Sequence, residues 1–382
     1  MGEKGLEARV SLRRCDSYAP AAVESALSKC LADLGGLESY VRPGMRVALK
    51  CNLLLPMRPE LGGTTHPALV AALSKMIRET GGEPFIIDSP GGPYGKAMLR
   101  TVYRVSGMHD AAKRTGAELN TDTAVTEISV PHSQWLPRMQ VLKPLIDADL
   151  IIDLPKMKTH GFMLFTGAVK NMFGAIPGVD KAEYHLRMKE PTDFARTMVD
   201  ICEAVKPGLA IMDGVEAMEG NGPSAGTVKK ANMLIASPSP YALDLAAAHM
   251  GTLPIDRIYT IQEAIERGLS PSGPEGLAWL GDDREALRVN LNLPDSQSLG
   301  ILRRFIHSRS LGRWMQPKPV INTGKCIGCG ICANNCPPKT IDIAEGKASV
   351  RYDDCIRCYC CQELCPEKAV EVRRSAVFKW LK

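Results

Sequence analysis

The chain has 382 residues, 45% of them hydrophobic and 23% charged, with a formal net charge of +5. At roughly 100–200 residues per domain, that length predicts two or three domains, and the apolar content excludes wholesale disorder. The small net charge and the 5% aromatic content argue against a nucleic-acid partner.

No apolar run approaches the roughly 18 residues of a membrane span, so no transmembrane segment is expected. Residues 1–15 (MGEKGLEARVSLRRC) lack an apolar signal core and a small-residue cleavage site, so a cytoplasmic location is expected. In chain order, 46–52 (RVALKCN) predicts a strand. Residues 66–80 carry helical periodicity that ends at Gly81-Gly82, with His66 at the helix start as a cap. Residues 84–88 (PFIID) predict a strand followed by a Gly/Pro turn over 89–95. Residues 150–154, 209–212 and 233–236 predict further strands. Apolar strands separated by helices predict an α/β domain over 1–293, a mostly parallel sheet with helices on both faces. Sites in such sheets lie beyond the carboxyl ends of strands. Polar segments fall at those places: 50–54, 88–95, 155–160 and 213–222.

Residues 294–318 differ in character. Arg303, Arg304, Arg309 and Arg313 interleave with Ile301, Leu302, Phe305, Ile306 and Trp314, without an acidic residue between 299 and 314. This is either a basic amphipathic helix touching a membrane surface or an acidic partner, or a linker helix docking a second domain. The basic tail 373–382 has the same two readings.

Nine of the 13 cysteines lie between Cys326 and Cys365. Clustered cysteines in a cytosolic chain point to metal or redox chemistry. Residues 326–337 read CIGCGICANNCP and 355–366 read CIRCYCCQELCP, two copies of C-x2-C-x2-C-x3-C-P. This is the bacterial two-cluster ferredoxin pattern, in which the fourth cysteine of each run ligates the other cluster. Two [4Fe–4S] clusters are therefore expected. The first would use Cys326, Cys329, Cys332 and Cys365, the second Cys355, Cys358, Cys361 and Cys336. Paired zinc sites are the alternative, but zinc has no need of this doubled, proline-terminated form. Gly328 and Gly330 suit a tight loop, whereas Arg357 and Tyr359 hold those places in the second copy, so the two environments differ. Cys360 is a spare thiol. Resemblance to dicluster ferredoxins covers 319–372, with short hairpin strands expected at 340–343 and 369–372.

The first 300 residues carry no standard nucleotide motif. GGPYGK at 91–96 is one residue short of a phosphate loop, and GNGPSAG at 220–226 does not match the dinucleotide fingerprint. Both read as turns. What stands out is the constellation Lys156, Lys158, Thr159, His160, Lys170, Asn171, Lys181 and His185. A lysine-rich concavity attracts carboxylate or phosphate groups, and His160, His185 or a desolvated lysine such as Lys170 would transfer protons. A solvated basic surface is the plainer alternative. Lys50 and Asn52 follow a strand and suit an anionic group. Asp213 and Glu219, placed beyond a strand in a glycine-rich turn, are either acid–base groups or turn residues. Cys15, Cys30, Cys51 and Cys202 read as structural.

Five segments together carry a family resemblance: LKCNLL at 49–54, DSPGG at 88–92, LPKMKTHGFMLFTGAVKNMFGAIPG at 154–178, DGVEAMEGNGPSAG at 213–226 and the region of Asp244. Residues 8–285 resemble the iron–sulfur proteins catalogued as domain of unknown function 362, which often carry a C-terminal dicluster ferredoxin module. The resemblance implies a cluster-bearing α/β redox protein with motif positions at Lys50, Asn52, Lys158, His160, Lys170, Asn171, Asp213 and Glu219. His160, Lys170 and His185, at spacings of 10 and 15, also resemble the His–Lys–His arrangement of nickel-pincer lactate racemases, where the lysine tethers the cofactor.

Three functions follow as expectations. The first is a reductase that passes electrons from the clusters to an anionic small molecule or cofactor. His160, Lys170 and His185 would form its catalytic group, and Lys50, Asn52, Lys158, Asn171, Asp213 and Glu219 would bind the substrate. The second is a non-enzymatic electron carrier or adaptor for a redox partner protein. The third is a nickel-pincer-type isomerase with the clusters as an addition.

Overall fold

The computed structural model describes residues 8–133, 135–297 and 317–373. The basic stretch 298–316 and the tail 374–382 lie outside the described residues, and with them both readings of those segments.

The first domain contributes twelve strands. They are β1 (Arg9–Arg14), β2 (Arg46–Cys51), β3 (Glu83–Ile87), β4 (Glu118–Leu119), β5 (Val125–Ser129) and β6 (Arg138–Leu142), then β7 (Leu150–Leu154), β8 (Lys156–His160), β9 (Leu164–Thr166), β10 (Leu209–Glu219), β11 (Thr227–Ser237) and β12 (Ala278–Gly281). The main sheet runs β12-β1-β11-β10-β7-β2-β3-β4. The strands from β10 through β7, β2 and β3 to β4 are parallel. Only β11 reverses, antiparallel to both β1 and β10. It follows β10 through the short loop 220–226, and a parallel pair needs a much longer crossover.

Successive strand residues face opposite sides, so a strand covered on both faces is apolar throughout. In β2, Val47 and Leu49 pack with Leu69 and Leu73 of the helix Pro67–Glu79, while Ala48 packs with Met198 and Val199 of the helix Pro191–Val205. In β10, Leu209 and Ile211 join the first face, and Ala210 and Met212 meet the helix Pro240–Met250. Truncating one such fully buried leucine to alanine costs about 2–5 kcal/mol.

Two placements correct the sequence-based expectation. Asp213 and Glu219 are not in a turn; both lie on β10, which runs 11 residues by way of an irregularity in register between Gly214 and Glu216. Residues 156–160 are not a loop beyond a strand but β8 itself, paired with β10 and β9. Alternating polar residues hid this strand, because its lysines find internal partners instead of solvent.

The second domain is small. It holds β13 (Lys318–Ile321), β14 (Ile341–Ala344), β15 (Lys347–Val350) and β16 (Val370–Arg373), plus one-turn helices at Ile331–Asn334 and Cys360–Glu363. β13 pairs antiparallel with β16, and β14 with β15.

A cationic cavity between the two domains

The carboxyl ends of β2 and β3, the β8–β9 pair and the helices Ala168–Asn171 and Lys181–Arg187 converge on a cavity that opens to solvent. Asn52, Lys158, His160, Lys170, Asn171 and His185 all line it. Its remaining wall comes from the second domain, as Asn335, Cys360, Glu363 and Leu364.

A hydrogen-bonded chain of side chains runs from the cavity into the sheet. Lys158 Nζ donates to Asn52 Oδ1 at 2.8 Å and to the Gly63 carbonyl at 2.6 Å. Asn52 Nδ2 donates to Asn171 Oδ1 at 2.8 Å, and Asn171 Nδ2 to Asp153 Oδ1 at 2.6 Å. Burial pushes the Asp153 carboxyl well above the usual range. Burial pushes the Lys158 ammonium down to about 7, opposed by the charge of Glu363. Lys181 donates to the Ser89 carbonyl, and burial pushes it down to about 8. Lys170 lies over the Phe173 ring at 5.8 Å, and burial lowers its pKa against the pull of Glu363.

The tautomer of His160 follows from its bonds. Nδ1 accepts the backbone N–H groups of Phe162 at 3.0 Å and Met163 at 3.3 Å. A neutral imidazole then carries its proton on Nε2. That Nε2 is buried without a hydrogen-bond partner and stands 3.6 Å from the Glu363 carboxylate. Burial, then the Lys170 charge, lowers His160 to about 4, so the ring is neutral at pH 7. Burial raises Glu363, but the adjoining His160 and the Lys170 ammonium outweigh it and hold the carboxyl below its usual range. His185 stacks on Phe194 at 4.4 Å, and burial lowers it to about 3.

Three of the expected substrate ligands do not line the cavity. Lys50 is fully buried behind it, 2.7 Å from Asp88. Asp213 is held by Lys156 at 2.9 Å and accepts from Tyr18 at 2.7 Å and the His66 N–H at 2.9 Å. Glu219 pairs with Lys229 at 3.2 Å and accepts the Asn292 N–H at 2.8 Å. Each carries a charge that an internal partner already answers.

The cysteines form two sets. Cys326, Cys329, Cys332 and Cys365 surround a second cavity of about 370 Å3, with Cys329 exposed. Cys336, Cys355, Cys358 and Cys361 are all buried, and burial followed by its three companions raises the Cys361 thiol. Backbone N–H groups point at sulfur: Ala348 at Cys326 (3.4 Å), Thr340 at Cys336 (3.4 Å) and Ala369 at Cys365 (3.3 Å). Gly328 has a left-handed φ of 67°, and a Cβ there would lie 2.2 Å from the Gly346 carbonyl oxygen. In the second loop Tyr359 takes a left-handed φ of 61° instead, and its ring packs into the core of the first domain. The loop 220–226 completes this docking: Gln362 Nε2 donates to the Asn221 carbonyl at 2.9 Å, and Ser224 Oγ to the Gln362 carbonyl at 3.3 Å.

Residues 47–249, more than half of the chain, match the model of the domain of unknown function DUF362. The chain belongs to the DUF362 family. Behind this domain, residues 318–366 match a 4Fe-4S dicluster domain, so the DUF362 chain is an iron–sulfur protein of the electron-transfer kind. It is similar to a thylakoid-associated protein of Synechocystis sp., 35% identical over 291 residues, 75% of this chain and 88% of that one. Among solved structures it matches the lactate racemase apoprotein of Thermoanaerobacterium thermosaccharolyticum with a TM-score of 0.38 at 11% identity, over 68% of this chain and 59% of that one. A Thermotoga maritima protein matches with a TM-score of 0.37 at 14% identity, over 63% of this chain and 60% of that one. The DUF362 chain thus spans about three fifths of the length of those two structures.

Sequence reasoning did not single out two site residues. Asp88, marked only as part of the segment 88–95, lines the cavity and holds Lys50. Glu363 reaches it from the other domain. One signal for Glu363 was present: it occupies the place that Asn334 holds in the first cysteine run.

Proposed function

We propose that the protein is an iron–sulfur reductase that delivers electrons from two [4Fe–4S] clusters to an anionic small molecule in the Lys/His cavity. One observation carries this reading. The cavity is walled jointly by the α/β domain and by the helix Cys360–Glu363, which holds a cysteine of the second set. The cysteines fit such clusters. They fall into two sets of four, each drawing one member from the opposite run, and the first set lines one concavity. When bound, such clusters supply electrons one at a time.

The chain's own residues supply the rest. Lys158 and Lys170 hold an oxyanion, with Lys158 braced by Asn52 and Asn171. Neutral His160 orients the anion by donating a hydrogen bond from Nε2, and the proton comes from the Lys170 ammonium, whose pKa burial lowers. His185 and Phe173 form part of the wall. The exposed Cys329 marks the face where a redox partner protein gives or takes electrons. That exposure equally favours the second reading, a carrier or adaptor whose cavity binds nothing.

The test uses anaerobically purified protein and Lys170→Ala. We expect the variant to keep its iron and sulfide and to lose reduction of the substrate. Undiminished turnover would remove Lys170 from the mechanism, and absence of any reducible anion for the native protein would leave the carrier.

A further inference from the structure

We infer that the cavity selects a dianion, a doubly ionised phosphate or sulfate group or a compact dicarboxylate, over a monoanion. This rests on the proposed substrate site and goes beyond it to the class of ligand.

The first support is the inventory of charge. Three ammonium groups line the cavity, those of Lys158, Lys170 and Lys181, together with the carboxylates of Asp88 and Glu363. Asp88 is already answered by Lys50 beneath it, at 2.7 Å. With all three protonated, the state a bound anion holds them in, three cations face one remaining anion among the lining side chains, Glu363, and leave a surplus of two. The second support is what those cations touch. Lys158 bonds only neutral oxygens, of Asn52 and Gly63, and Lys181 a neutral carbonyl, of Ser89. Lys170 makes no hydrogen bond or ion pair with any other described residue, and lies over an aromatic ring. Buried cations without counter-ions are costly, and a bound anion removes that cost.

The third support is a set of unpaired polar atoms on the same walls. Thr166 Oγ1 is buried without a hydrogen-bond partner, and His160 Nε2 has only the long 3.6 Å contact with the Glu363 carboxylate. The fixed tautomer makes His160 Nε2–H a donor only, suited to an oxyanion oxygen and not to a cation. A monoanion would answer one of the two surplus charges. A dianion answers both and engages these donors as well.

Glu363 sets the number. It comes from the second domain, and Asn334 holds the corresponding place in the first cysteine run. Without its charge the surplus rises to three, so a dianion binds more tightly still.

The test is calorimetric titration of the anaerobic full-length protein, clusters in place, with sulfate, malonate and acetate at matched ionic strength. We expect sulfate or malonate to bind at least about tenfold tighter than acetate, about the effect of one extra charge pair in a partly screened site. Tighter binding of sulfate identifies a phosphate-like group, and tighter binding of malonate a dicarboxylate. Glu363→Gln is expected to tighten dianion binding severalfold, and Lys170→Ala to weaken it by a similar factor. Equal affinity for acetate and both dianions would overturn the inference, as would weaker dianion binding in Glu363→Gln. If Lys170→Ala fails to retain iron, the comparison of native protein with Glu363→Gln still decides. Selective dianion binding without any electron uptake would sink the reductase reading and leave this inference standing. Turnover of a monoanion that binds as well as malonate would do the reverse.

Discussion

Glu363 of the ferredoxin domain stands 3.6 Å from Nε2 of His160 in the α/β domain. The two residues are far apart in sequence, and the contact exists only because the second cysteine loop docks on the cavity. Glu363 follows Cys361 by two positions, so the residue that faces the proposed hydrogen-bond donor sits on the same one-turn helix as a cysteine of the second set.

His160→Ala should separate anion positioning from electron delivery. A hydrogen bond to a charged group is worth about 1.5–3 kcal/mol, so turnover should fall by roughly one to two orders of magnitude. Iron content and the visible spectrum should stay native. Unchanged turnover would remove His160 from the site.

The lysines give the cavity a pH dependence with a defined sign. Lys158 at about 7 and Lys181 at about 8 lie below the free lysine value, chiefly through burial. Anion affinity should therefore fall as pH rises from 6 to 9. Stability moves the other way when no anion is bound. Above pH 7 the buried Lys158 has lost its proton while an unfolded lysine keeps one, so stability rises with pH toward the free lysine value. Lys158→Met should flatten that rise in denaturant titrations from pH 7 to 9, and an equal slope in the variant would refute the assignment.

Gly222→Ala should loosen the docking without touching a cysteine. A Cβ at that position would lie 2.1 Å from the backbone oxygen of Thr159, so the loop that bonds Gln362 must shift. Near-native iron content with strongly reduced turnover is the expected outcome. If turnover is native, the docking of that loop is irrelevant to function.

Metal content tests the cysteine sets and the isomerase together. Two [4Fe–4S] clusters correspond to about 8 Fe per chain. Cys361→Ala should lose about half of it, and Cys360→Ala essentially none. Nickel in the native protein, or an adduct mass on Lys170, would instead bring the pincer-type isomerase forward.

The cysteine runs were legible because their information is local: four thiols at fixed spacing specify a loop whatever surrounds it. Lys158, His160, Lys170 and His185 were legible as a group because β8 and the short helices after it keep them close along the chain. Glu363 was not, because it reaches the cavity from a distant segment, and Asp88 was legible only as the start of the polar segment 88–95 beyond β3. Lys50, Asp213 and Glu219 looked like site residues for a related reason. A charged residue reads the same in sequence whether it meets a ligand or, like Asp213 with Lys156, a buried partner. The strands β8 and β10 were underestimated because polar residues interrupt them, and tertiary pairing overrode the pattern.

The unequal exposure of the two cysteine sets also bears on how the protein ages in air. Cys329 faces solvent, whereas Cys336, Cys355, Cys358 and Cys361 are buried. With both proposed clusters bound, dioxygen and chelators would reach the outer set first. Iron loss should then be biphasic, with a fast phase of about half the metal, and a molecule caught between the phases would keep the half that lies behind the cavity wall.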